Sequence, residues 1–369
     1  MKIISSDSFS YNSGGYCSSC FGYDGHLVLA RLCEPVRQTP DKINDILLDV
    51  ATCRTPYNAD DMMNFVQCGK ACLVLYEMKS GKQTLLADDM LGYDQYEVFG
   101  SDVYYVSKKR LTKIDMKTGA RKILLDYPEE KYTKIFPHAS ADGKYISLQT
   151  MSLDYNDRES VFFIYNTESG ECIKVGQKAF IWINFFSRNF ALNPKNPQQF
   201  LFEHGGPSTY ITNRFWLFDY EKREMHNLVK QAWTEDNELG EYLGHAVWAP
   251  DGEGIYFVKY KSSPVGSGGI YYFGTASKER RLISSEYAYV HVNVNDKGLI
   301  ADTEPENGRS KIVFINARDG STEILAEAEL DENILIHPHP CLSPAGDSFC
   351  YTEIGKHGQS RVIFEKCEI

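Results

Sequence analysis

The feature that most constrains this chain is a repeat. From residue 136 onward a unit recurs with a period of roughly 45–55 residues. Each unit has a polar or aromatic approach, a turn built on Asp-Gly or a relative, and a short aromatic run, followed later by a second run ending in a charged turn. FPHASADGKYISLQT (136–150), HAVWAPDGEGIYFVKY (245–260), HVNVNDKGLIAD (291–302) and HPCLSPAGDSFCYTE (339–353) are four such openings. VFFIYNTESGECIKV (161–175) reads as a hairpin over Thr167–Gly170. Short alternating runs rich in Tyr and Phe favour strands over helices. The period is that of four-stranded propeller blades with polar turns.

Seven units are counted if the first is the long one around residues 20–87, with an irregular or inserted segment at about 31–66. Residues 41–48 within it read as one helix or a lengthened loop. The expectation is an all-β, seven-bladed β-propeller in a single domain over residues 1–369. A β-sandwich would show fewer and less regular units. The final run, 360–369, is strand-like; whether residues 1–10 complete the last blade is left open.

A net charge of −11 argues against nucleic acid as the main partner, although a local Arg or a metal can still hold an anion. No stretch is long and apolar enough to suggest a membrane span, and residues 1–16 contain no secretory apolar run. Ten cysteines are scattered, with Cys17 and Cys20 forming one C-x-x-C, and read as buried reduced thiols. A reducing, cytoplasmic setting is expected.

Among nine histidines, His245, His291 and the pair His337/His339 stand at matching places at the start of successive repeats. Equivalent positions in consecutive blades lie on one face near the ring axis, so these side chains are expected to converge. Three imidazoles suit a borderline divalent cation such as Mn, Fe or Zn. The competing reading is that each histidine serves only its own turn. An extended His337-Pro338-His339 would turn both rings to one side. Arg214 follows Glu203-His204-Gly205-Gly206-Pro207 and either presents its fork to a carboxylate or faces outward from a strand start. Trp216 and Trp248 read as blade core or as sugar-facing platforms, with core preferred, and Glu203 and Glu241 are the nearest acidic candidates for acid/base work. No Walker loop, Rossmann fingerprint, G-x-S-x-G or H-E-x-x-H occurs.

The motifs His204–Pro207 with Arg214-Phe215-Trp216, Gly244–Gly252, His291–Asp296 and His337–Pro340 resemble those of the oligogalacturonate lyases over roughly residues 135–369. These are seven-bladed propeller enzymes that use a divalent metal, typically Mn2+. The resemblance implies metal ligands at His291, His337 and His339, a catalytic base at His245, and substrate binding by Arg214 and His204. It implies β-elimination from short uronate oligosaccharides, giving 4,5-unsaturated products. Three positions depart from the family pattern: a ligand glutamine is Ile334 here, the loop's Glu is Gly205, and the acid after the base is Ala246. A non-catalytic propeller binding a ligand or a protein is the alternative, and a hydrolase-associated propeller would need a nucleophile that is not evident.

Overall fold

The computed structural model describes the chain except residues 15–18, 33–70, 91–95, 108–109, 127–131, 153–158, 179–190, 204–207, 210, 331–336, 356–357 and 369. Among the described residues, the strands form seven four-stranded antiparallel sheets, the seven-bladed β-propeller read from the repeat. Six blades follow chain order, over 10–90, 96–126, 132–178, 191–227, 243–284 and 289–329. The seventh takes three strands from the C-terminal end, Cys341–Leu342, Ser348–Ile354 and Ser360–Lys366, and its fourth from Lys2–Ile4. Lys2, Ile3 and Ile4 pair with Phe364, Ile363 and Val362, so segments far apart in the chain close the ring. The open question about residues 1–10 is thereby answered in favour of a shared blade. Most of the inserted segment expected at about 31–66, including residues 41–48, lies outside the described residues.

Why these sequences make blades is visible in their burial. Second strands such as Gly254–Lys259, Gly298–Thr303 and Ser348–Ile354 are buried along their whole length. They therefore carry near-continuous β-branched and aromatic runs rather than a polar alternation. Fourth strands such as Arg121–Asp126 are mostly exposed and charged, which suits an outer edge. Each of the seven seams between neighbouring blades has its own apolar cluster, from Leu29 with Cys341 and Val362 at the closure to Phe215 with Phe257 between the fourth and fifth blades. Trp248 is buried in that last seam and donates Nε1–H to Ala191 O at 2.9 Å. Trp216, half-buried, stacks on Phe202.

The Asp-Gly turns also join blades. Gly252 sits at φ +72, and Asn193 of the preceding blade donates its amide to Gly252 O at 3.0 Å. A Cβ there would meet Asn193 itself, so glycine serves both the turn and the close approach. First strands of neighbouring blades contact one another around the axis, as in Leu243–Trp248 against Tyr289–Asn295. That inner ring is where the site is built.

Candidate functional site

Four histidines from three consecutive blades meet at one place. His245 lies in the first strand of the fifth blade, His291 in that of the sixth, and His337 and His339 immediately before that of the seventh. The His291 ring centroid is 4.2 Å from that of His245, 4.9 Å from that of His337 and 4.0 Å from that of His339. The convergence expected from repeat spacing is therefore real.

The local backbone that achieves it is irregular. Pairing with the second strand shifts register between Gly244 and Val247 and again between Tyr289 and His291. These bulges re-aim side chains that a regular strand would send elsewhere. His245 has φ +54 and His339 φ +42, both in the left-handed region that non-glycine residues seldom occupy. His337-Pro338-His339 is thus not the simple extended segment that the spacing suggested. Its rings stand 5.9 Å apart at 75° and both approach His291. Thr352 N–H donates to Pro338 O at 2.9 Å and fixes this segment to the blade.

Two acidic residues organise the cluster. Asp302 lies opposite His291 in the neighbouring strand and is 1% exposed. Its Oδ1 accepts the His291 backbone N–H at 2.7 Å, and both carboxylate oxygens lie 2.9 Å from His291 Nδ1. With the carboxylate ionised, Nδ1–H is the donor and the Nε2 lone pair faces away from Asp302. Burial pushes the Asp302 carboxyl up, opposed by nearby His339 and His337 and by backbone N–H donors. Sequence reading missed this residue. Its signal was a lone acid in the apolar run GLIAD, one strand from a histidine.

The second acid is Glu203, which accepts Arg214 Nε–H at 2.9 Å; the two side chains are 7% and 8% exposed. Arg214 therefore points inward, and the outward-facing alternative is set aside. Arg214 N–H also reaches Gln231 Oε1 at 3.3 Å, and Gln231 in turn donates to Glu241 O at 2.8 Å. Glu241 is committed to a buried ion cluster, with Lys259 Nζ at 2.8 Å and Arg280 Nη1 at 2.9 Å. This points to support rather than proton transfer for Glu241. His204 and Ile334 lie outside the described residues.

The electrostatics favour a neutral His245 ring. Burial lowers the His245 pKa well below the usual imidazole value, and neighbouring His291, His339, Arg214 and His337 add to this. As placed, no three His, Cys, Asp or Glu side chains among the described residues are arranged to hold a metal ion. The donor set nevertheless fits a borderline divalent cation in kind: His291, His337 and His339 are neighbours, and an aspartate on His291 Nδ1 is the usual partner of a ligating imidazole.

No protein-family model matches the chain, and no curated protein sequence matches it. Solved structures do. An oligogalacturonate lyase in complex with manganese matches at 17% identity and TM-score 0.74, over 99% of this chain and 92% of that one. An oligogalacturonate lyase from Vibrio parahaemolyticus matches at 16% identity and TM-score 0.72, over 99% and 93%. An acylaminoacyl peptidase from Pyrococcus horikoshii matches at 11% and TM-score 0.58, over 96% of this chain but only 51% of that one. At these identities the likeness is one of fold, shared with the lyases over nearly whole chains.

Proposed function

We propose that this protein is a metal-dependent lyase that cleaves short oligogalacturonides, or related uronate oligosaccharides, by β-elimination. The observation that carries the reading is the meeting of His245, His291, His337 and His339 on the inner strands of one propeller. The fold likeness to two oligogalacturonate lyases supports it.

His291, His337 and His339 would hold the ion, Mn2+ by analogy with the manganese-bound lyase. Such an ion, when bound, supplies positive charge to a substrate carboxylate as the adjacent carbon loses its proton. Arg214, held at Nε by Glu203, would present its guanidinium to a uronate carboxylate and fix the pose. His204 is assigned to the same substrate. His245, kept neutral by burial and by its neighbours, accepts the C5 proton on an unprotonated ring nitrogen. The C5–H electron pair becomes the C4–C5 double bond, and the C4–O bond breaks. The departing oxygen takes a proton from water, and protonated His245 returns its proton to solvent, giving a saturated fragment and a 4,5-unsaturated uronate.

Soluble di- and trimers suit a protein with no described helix long and apolar enough to cross a membrane. Free thiols at Cys20, Cys72, Cys341 and Cys350 agree with the reducing cytoplasm we assign. The test is incubation with Mn2+ and di- or trigalacturonate, following the near-ultraviolet absorbance of the unsaturated product. Activity is expected in the wild type, with none in H245N at unchanged metal content. Wild-type turnover in H245N would remove the assigned base.

A second reading, a non-catalytic propeller that binds a ligand or a protein, is favoured by the departures from the family pattern at Ile334 and Gly205. Metal content of the purified protein separates the two, because a stoichiometric ion belongs with the lyase.

A further inference from the structure

We infer that Glu203 is a positioning residue that makes His245 and Arg214 a single unit, so that the proposed base and the proposed carboxylate clamp cannot be set independently. The inference rests on the lyase reading for its kinetic consequence, but not for its geometry.

One carboxylate from the end of Gln199–Glu203 serves two blades. Within the fourth blade, Glu203 Oε1 accepts Arg214 Nε–H at 2.9 Å. Across the seam, the same oxygen faces the His245 backbone N–H at 3.3 Å, and Oε2 faces that of Ala246 at 3.4 Å. These two N–H groups fall within the register shift between Gly244 and Val247, where the chain departs from its ladder. A bulge takes backbone donors out of ladder pairing, and buried donors require another acceptor.

His245 holds φ +54 at this point, a conformation that persists in a non-glycine residue only where the surroundings over-determine it. Glu203 supplies part of that constraint, and the Arg214 guanidinium balances its buried charge. The direction of the His245 ring therefore depends on an ion pair formed in another blade. Neither oxygen is replaceable by an amide nitrogen, because Arg214 Nε–H and the His245 and Ala246 N–H groups all arrive as donors.

Histidine-selective 15N NMR and steady-state kinetics on E203Q, with the full chain, test this. E203Q is expected to shift the His245 resonances and to lower kcat by about 10–100-fold, with a raised KM. R214M is the second variant, needed if E203Q does not fold. An Arg214 that acted only on substrate would leave the His245 resonances of the substrate-free protein in place; coupling through Glu203 moves them. Unchanged His245 resonances in a folded E203Q or R214M overturn the inference. A wild type that cleaves no uronate removes the lyase reading, and the NMR arm then decides the role of Glu203.

Discussion

Replacing Asp302 with Asn tests the metal assignment at its most sensitive point. The carboxylate accepts the His291 backbone N–H at 2.7 Å and faces Nδ1 with both oxygens at 2.9 Å, in a position 1% exposed to solvent. Asparagine has nearly the same shape but only one oxygen. If that oxygen keeps the backbone donor, the amide NH2 meets Nδ1 and favours the tautomer with its proton on Nε2. The proton then occupies the atom that would face an ion. Hydrogen bonds to charged groups contribute about 1.5–3 kcal/mol. At about 1.4 kcal/mol per tenfold change, D302N should lose roughly 10–100-fold in Mn2+ or Zn2+ affinity. Calorimetric titration of metal-free wild type and D302N, with thermal unfolding of both, measures it. A folded D302N whose affinity stays within about twofold of wild type would refute the argument that Asp302 sets the His291 tautomer.

Two further predictions concern the frame around the site. Glu241 is 6% exposed and pairs with Lys259 and Arg280; E241Q leaves Lys259, 2% exposed, without its counter-charge, and should cost about 3–5 kcal/mol in urea unfolding at pH 7. Burial alone would raise the Glu241 pKa, but its hydrogen bonds from Arg280, Lys259 and Ala232 N–H hold it below the ordinary 4.5. Its stabilisation is therefore present above that value and lost as pH falls through the depressed folded pKa, so the gap to E241Q should narrow in acid; a widening gap counts against this. In the Asp319-Gly320 turn, φ is +75 and a Cβ would run into the Ile283 carbonyl of the fifth blade, whereas Gly119, at φ +72, has open space. G119A should cost about 1 kcal/mol and G320A about 1–3 kcal/mol more, read as the difference in unfolding midpoint; equal costs would show that the seam yields freely.

The architecture was legible because blade formation is a local, repeated requirement. Each unit carries its own turn and its own apolar run, so period and composition sufficed to count seven. The cluster was legible for the same reason: His245, His291 and His337/His339 are equivalent positions, and equivalence around a ring means proximity. What stayed hidden were the partners set by cross-strand register. Asp302 is matched to His291 by a shift between Tyr289 and His291. Glu203 pairs with Arg214 inside its own blade and reaches His245 and Ala246 across the seam to the next. The left-handed turns at His245 and His339 also escaped notice, since histidine there breaks the habit that makes glycine recognisable.

The strand Lys2–Ile4, which seals the seventh blade against Ser360–Lys366, also dictates an order of events in folding. On a ribosome it emerges ahead of every other strand of the ring and then waits, without its partner, until the other six blades have been made. Those six are built from neighbouring segments and can form as they appear. The blade that carries His337 and His339 cannot be completed until its oldest and newest strands meet. The histidine cluster thus draws its pair His337/His339 from the blade closed by the longest-range pairing in the ring.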